Sequence, residues 1–255
     1  MISKNKIKAV KALELKKNRV AEGCFIAEGP KVVGDLMATF KARTVVATRE
    51  WLDANRINGD VEVIDVTDDE LKKVSLLQHP QQVLAVFEQR NAIDVASIAD
   101  TSALTSKLSL ALDGVQDPGN MGTIIRIADW FGIENIFCSE KTVDAFNPKV
   151  VQATMGSLAR VNIVYTDIAR LIDSLPKDFP VYGTLLDGED LYAKTLSANG
   201  LIVMGNEGNG ISQEIRKKVN NKLLIPNYPK GRETADSLNV AIATAITCAE
   251  FRRRG

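Results

Sequence analysis

The sequence predicts an α/β protein whose C-terminal part is a parallel sheet covered by helices on both faces, and three observations carry that prediction. Beyond about Lys107 short β-rich runs take turns with helical patterns. The runs LSLALDGV, VYGTLL, LIVMG and KLLIP are continuously apolar rather than alternating, as strands buried on both faces are. The balance of 45% hydrophobic against 25% charged residues is that of a globular chain able to build one or two real cores.

The elements follow in order. The opening segment carries Lys4, Lys6, Lys8, Lys11, Lys16, Lys17 and Arg19 against Glu14 alone. Its Ile7, Val10, Ala12, Leu13 and Leu15 can form one helical apolar face, which leaves a local basic surface. That surface reads either as a solvated helix face or as a contact for phosphates. A small mixed α/β unit comes next, with a strand at Cys24 to Ala27, a helix from Pro30 to Thr39, and strands at Thr44 to Ala47, Val61 to Val66 and Val83 to Val86. Pro30 suits the first turn of its helix. A polar stretch rich in Ala, Ser, Thr and Asp then reads as a linker. The expected organisation is a first domain over residues 1–90, a linker over 91–106 and a second domain over 107–255.

Several classes of function are excluded at this level. Thirty-two basic residues balance thirty-two acidic ones, so the chain as a whole makes no electrostatic case for a nucleic-acid or membrane partner. No apolar run reaches the roughly 18 residues of a membrane span. The start of the chain lacks the apolar stretch of a signal peptide, so a cytoplasmic location is expected. Cys24, Cys138 and Cys248 are odd in number and far apart, which fits buried hydrophobes better than disulfides or a metal motif. With His79 as the only histidine, a multi-histidine metal centre is impossible, and no metal is expected.

In doubly wound sheets ligands bind beyond the carboxyl ends of the strands. Three blocks occupy such positions: Gln116 to Gly122, leading into a helix that carries Arg126; Gly205-Asn206-Glu207-Gly208-Asn209-Gly210; and the long loop from Ile225 and Pro226 to Ser237-Leu238-Asn239-Val240. The glycine spacing GxxGxG is not the GxGxxG dinucleotide fingerprint, which argues against a nicotinamide oxidoreductase. Taken singly, Asn120 reads as well as a cap for the helix of Arg126, and Ser237 or Asp236 as a cap for the last helix.

Taken together, these blocks resemble the three signature motifs of the SpoU (TrmH-type) RNA 2'-O-ribose methyltransferases of the SPOUT superfamily. The first is Asn120-Met121-Gly122-Thr123-Ile124-Ile125-Arg126 with Phe131-Gly132, the second Gly205 to Ser212, and the third Ile225-Pro226 with Ser237 to Val240. Met155-Gly156-Ser157-Leu158-Ala159-Arg160 also resembles the family. Phe25 to Gly29 and Gln81 to Val86 resemble its small substrate-binding domain. The stretch from Pro226 to Ser237 is longer than the commonest family pattern, and Ala241 stands where a serine often follows.

The resemblance implies a deep trefoil knot in the C-terminal domain, S-adenosylmethionine as cofactor, an RNA substrate and a homodimer whose partner contributes to the site. It implies cofactor contacts at Thr184, Leu185, Gly205, Asn206, Gly210, Ile225, Pro226 and Leu238. It makes Arg126 the residue that activates or orients the ribose 2'-hydroxyl, inside a polar network of Asn120, Glu207, Ser237 and Asn239. Glu207 stands as the alternative base, as a partner of Arg126 or as a helix cap. Ribosomal RNA is the favoured substrate; transfer RNA, or a non-catalytic binder of S-adenosylmethionine or RNA, is the rival. Lys4 to Arg19 and the tail Arg252 to Arg254 are the expected RNA grips.

Overall fold

Residues 2–90, 105–229 and 235–253 are described by the computed structural model. Most of the expected linker, together with Gly231 and Arg254, lies outside them. The chain divides into two units, Met1–Asn91 with Asp144–Ala159, and Ala92–Val143 with Arg160–Gly255.

The first unit begins with two helices where the apolar periodicity predicts one, α1 (Lys4–Ala12) and α2 (Lys16–Glu22). Ser3 caps α1 by accepting from Lys6 N. Arg19 accounts for the break. Its guanidinium donates to the carbonyls of Leu13 (2.9 Å) and Glu14 (2.6 Å), acceptors that a helix end leaves open. The remaining donors reach Asp144 Oδ2 at 2.6 and 3.1 Å, and the residue is 1% exposed. Arg19 is therefore an internal cap and not a grip for phosphate, contrary to its reading from charge alone.

The sheet of this unit is built from β1 (Cys24–Glu28), β2 (Ala42–Ala47), β3 (Glu62–Asp65) and β4 (Val83–Glu88). Its order is β1-β4-β2-β3; β4 runs antiparallel to both neighbours, and β2 pairs with β3 in parallel. Helices α3 (Pro30–Met37), α4 (Arg49–Ala54) and α5 (Asp68–Val74) connect the strands. The short α4 and α5 escape an analysis based on hydrophobic period. α5 is nevertheless written in the sequence as a capping box, with Thr67 and Glu70 bonding each other's main chain. Residues Val10, Leu13, Ile26, Leu71, Val74 and Leu84 share its core.

Residues 144–159, which follow the second unit's strands in sequence, pack with this first unit. The Phe146 ring lies 4.7 Å from Phe25 and 6.4 Å from Phe40. Gly156 has φ +93°, and a Cβ there would lie 2.3 Å from Asp35 Oδ2, so both backbone conformation and space demand glycine.

The second unit holds β5 (Leu108–Asp113), α6 (Pro118–Trp130), β6 (Asn135–Cys138), β7 (Asn162–Tyr165), α7 (Ile168–Ser174), β8 (Val181–Asp190) and β9 (Gly200–Gly205), then α8 (Gln213–Arg216), β10 (Asn221–Leu224) and α9 (Val240–Arg253). The order is β10-β8-β9-β5-β6-β7, and every neighbouring pair is parallel. All six residues of β5 are buried, Ser109 and Asp113 along with the four apolar ones, as for a strand covered on both faces. Parallel pairing brings the carboxyl ends of β8, β9, β5 and β10 to one edge. There the partner of β10 jumps from Gly183 to Glu189, so residues 184–188 leave the ladder.

The caps differ from expectation. Asp117, not Asn120, caps α6 by accepting from Asn120 N at 2.8 Å, with Pro118 in the first turn. Asn239, not Ser237 or Asp236, caps α9, its Oδ1 accepting from Ala241 N (2.9 Å) and Ile242 N (3.2 Å). The tail is also occupied. Arg252 donates to the carbonyls of Phe131 and Gly132, and Arg253 pairs with Glu250, so neither is a free grip. The three cysteines are buried thiols. Among the described residues no helix is long and apolar enough to cross a membrane.

Candidate active site

A chain of hydrogen bonds joins the loops after β5 and β9 to the start of α9. Asn239 spends its carbonyl oxygen on the α9 amides, so only its Nδ2 is left to donate, and it does so to Asn120 Oδ1 at 2.8 Å. Asn120 must then turn its own Nδ2 outward, and it donates to Glu207 Oε1 at 3.1 Å. A helix terminus at one end and a carboxylate at the other thus fix the polarity of the whole relay.

Glu207 receives from every side. Oε1 also accepts from Asp117 N (3.2 Å), and Oε2 accepts from Gln116 N (3.2 Å) and Asn206 Nδ2 (3.3 Å). Burial pushes the carboxyl up, but the bonds from Asn120, from its own amide and from the Asp117 and Gln116 amides outweigh that. The group stays below the usual carboxylate range. A carboxylate so stabilised is a clamp and a poor proton acceptor. Its contribution to stability is present above the ordinary carboxylate pKa and is lost only when pH falls through the lowered folded value.

In Glu207→Gln one oxygen becomes an amide facing donors. We expect turnover to fall about tenfold, as for a lost charged hydrogen bond, with the shape of the pH–rate profile unchanged. Loss of a profile limb in that variant would make Glu207 the base.

Asn206 holds the glycine loop. Its Nδ2 also reaches Gly114 O (2.8 Å), its Oδ1 accepts from Gly208 N and Asn209 N (both 3.0 Å), and it exchanges both main-chain bonds with Gly210 (2.9 Å each). Gly205 is needed for the closeness of this turn. A Cβ there would lie 2.2 Å from the Gly210 carbonyl carbon and 2.3 Å from Ile211 N. Gly205→Ala should force the loop open; if the loop holds S-adenosylmethionine, as the resemblance implies, affinity read by titration calorimetry falls at least tenfold, and an unchanged affinity would sever the loop from that role.

The β8–β9 pairing ends at Gly183 and Val203, so Thr184 and Leu185 on one strand and Gly205 on the other follow just beyond it, with Ile225 and Pro226 just past the neighbouring β10. The Thr184 hydroxyl donates to Met204 Sδ at 3.7 Å. Leu185, Ile225 and Pro226 are half-buried, and Leu238, next to the relay, is 51% exposed. Main-chain polar groups at strand ends with apolar side chains around them suit an adenosine moiety.

Two expected members stand apart. Ser237 is exposed and forms no hydrogen bond among the described residues. Arg126 is exposed on α6, six residues beyond Asn120 and so on another side of the helix, and it likewise has no ion pair or hydrogen bond among the described residues. Four residues on, and on the same face, Trp130 is 86% exposed. Sequence reasoning overlooked the capping role of Asp117, although an Asp-Pro pair opening a helix is a readable cap signal. Among the described residues no group of three or more His, Cys, Asp or Glu is placed to hold a metal.

The comparisons with known proteins converge. Residues 107–249 match the model of the SpoU rRNA Methylase family, and residues 4–85 match an MRM3-like substrate binding domain. The 23S rRNA (guanosine(2553)-2'-O)-methyltransferase RlmP of Bacillus subtilis is 30% identical over 97% of this chain and 96% of its own length. A TrmH-family protein from Porphyromonas gingivalis superposes with a TM-score of 0.90 at 39% identity, covering 100% of both chains. An AdoMet-bound rRNA methyltransferase from Sinorhizobium meliloti gives 0.84 at 31% identity, over 100% of this chain and 97% of the other.

Proposed function

The chain belongs to the SpoU rRNA methylase family, and from that premise we propose how its residues transfer a methyl group to RNA. It is an S-adenosylmethionine-dependent RNA 2'-O-methyltransferase, with ribosomal RNA as its substrate class. The Asn239–Asn120–Glu207 relay at the carboxyl ends of β5 and β9 is the observation that carries the site assignment. We assign residues 1–90 to substrate binding, 91–106 to the linker and 107–255 to catalysis in a trefoil-knotted domain. The insertion of β9 between β5 and the earlier-made β8 supports the knotted reading. The cytoplasm, where ribosomal RNA is processed, is the matching location.

The residues at the strand ends fit S-adenosylmethionine: Thr184, Leu185, Gly205, Ile225, Pro226 and Leu238 would hold it, with Asn206 and Gly210 shaping the loop. When bound, the cofactor supplies an electrophilic methyl group on a sulfonium. Transfer needs the hydroxyl oxygen aligned with that methyl and one proton removed. A guanidinium offers donors and no acceptor, so Arg126 acts by gripping the phosphate next to the target ribose through two parallel N–H donors. The ribose oxygen is thereby fixed in line, and its proton leaves to that phosphate or to water. The relay keeps the loops around this position in register, and Ser237 lies at its rim.

Arg126 and Trp130 share one exposed face of α6, and Ile242 of α9 is also 52% exposed. Large apolar groups left open in this way mark an interface. We assign them to a homodimer in which Arg126 serves the partner's site. Trp130→Glu should yield monomers in sedimentation and lose methyl transfer together with dimerisation; an active monomer would refute the shared site. The reading as a whole is tested by incubating the protein with labelled S-adenosylmethionine and unmodified ribosomal and transfer RNA. Alkaline digestion then follows, because a 2'-O-methyl protects the adjoining phosphodiester. Label in resistant dinucleotides from ribosomal RNA is expected; cofactor binding without transfer would leave only a binder.

A further inference from the structure

We infer that Lys4, Lys8 and Lys11 of α1, continued by Lys16 and Lys17 of α2, form a stripe that grips the RNA substrate by its phosphates, an inference that rests on the methyltransferase reading. Lys4, Lys8 and Lys11 recur at i, i+4 and i+7 and so project from one face, while Val10 and Leu13 on the other face are buried. At about 1.5 Å of rise per residue the three span about 10 Å of helix. All five lysines are exposed and form no hydrogen bond or ion pair among the described residues; Lys11 alone acts on a carboxylate, that of Glu28, which it helps to hold ionised. Neighbouring cations of the unit are neutralised in place: Lys6 by Glu62, Lys31 by Asp35, and Lys41 and Arg43 by Glu88.

The stripe works against the helix that bears it. Like charges at i, i+4 repel. Lys4 also sits in a first turn that contains no acidic residue, where the partial positive charge of the helix end disfavours a cation. Lys11, in the last turn, favours the helix end and Glu28, but Lys4 and Lys8 serve neither the core nor a cap, so their placement serves something outside the fold. A polyanion removes both penalties and gains the release of its condensed counterions. In a chain of zero net charge, such a cluster is also what aims a polyanion at one face. The structure thus separates the seven basic residues of the opening segment into two that are paired within the protein, Lys6 and Arg19, and five exposed lysines open to phosphate, of which Lys11 also faces Glu28.

The test compares the full-length wild type with the triple variant Lys4→Gln/Lys8→Gln/Lys11→Gln, and with Lys41→Gln as a surface-charge control. Binding to an unmodified 23S ribosomal RNA transcript is measured across a potassium chloride series. Glutamine keeps helix propensity, so a matching melting temperature and matching S-adenosylmethionine affinity certify the fold. We expect the slope of log affinity against log salt to shrink by about 2 in the triple variant, at about 0.7 per lost phosphate contact. The KM for RNA should rise about tenfold or more with kcat unchanged, and Lys41→Gln should behave as wild type. An unchanged slope and KM, or an equal loss in Lys41→Gln, would overturn the stripe. If the wild type transfers no methyl to RNA, the enzymatic reading fails, yet the salt slopes, which need no turnover, still decide the stripe.

Discussion

Arg126→Lys should lose about 100-fold or more in kcat while keeping the melting temperature and cofactor affinity of the wild type. The residue is exposed and has no hydrogen bond or ion pair among the described residues, so its removal takes nothing from the fold. What lysine cannot reproduce is the rigid fork. An ammonium is a point charge on a flexible stem, and a nucleotide held by one donor instead of two drifts out of line with the methyl group. Misplacement by about 1 Å is enough to cost about 100-fold. Single-turnover transfer of labelled methyl at saturating RNA measures the effect. Near-normal turnover in Arg126→Lys would mean that charge alone suffices and that the bidentate grip is wrong.

The largest loss of stability is expected at Asp144. The Arg19 side chain is 2% exposed and that of Asp144 15% exposed, and Phe146 N also donates to the Asp144 carboxylate at 3.0 Å. Asp144→Ala leaves a buried guanidinium without its counter-charge, a defect worth about 3–5 kcal/mol. For a chain of this size that corresponds to a fall in Tm of about 10 °C. A paired apolar replacement, Arg19→Met with Asp144→Leu, should recover much of it, because the penalty is the orphaned charge rather than the missing bridge. Thermal unfolding of the two variants decides the matter. A Tm for Asp144→Ala within about 2 °C of the wild type would show that water reaches Arg19 after all.

The order of strands and helices in the second unit was legible because buried parallel strands are continuous apolar runs and the chemistry follows their carboxyl ends. The three motif blocks were legible for the same reason, and the relay of Asn120, Glu207 and Asn239 draws on all three. What stayed hidden is side-chain direction. Asn239 rather than Ser237 caps α9, and Asp117 rather than Asn120 caps α6, because neighbouring polar residues with equal capping propensity differ only in which one the backbone turns toward the helix. Arg19 looks like its lysine neighbours in a one-letter string, and its partner stands 125 positions away. No local pattern encodes such a distance. The packing of residues 144–159 with the first unit is hidden in the same way, being decided by Phe146 and Asp144 together.

The place of β9 between β5 and β8 has a consequence for how the protein is made. Leu108 pairs with Gly200 and Asp113 with Gly205, so one edge of β5 waits for residues synthesised about 90 positions later. At about 5–20 residues per second, the nascent chain carries a mostly apolar, half-paired strand for roughly 5–20 s. The relay closes later still, since Asn239 emerges after Gly205 and the whole of β9 and β10. Translation speed over residues 114–199 and chaperone cover of an open β edge therefore govern the yield of active enzyme. Release after Pro226 but before Asn239 leaves a chain that has the loops at 184–185, 205–210 and 225–226 but lacks the asparagine that ties two of them to α9.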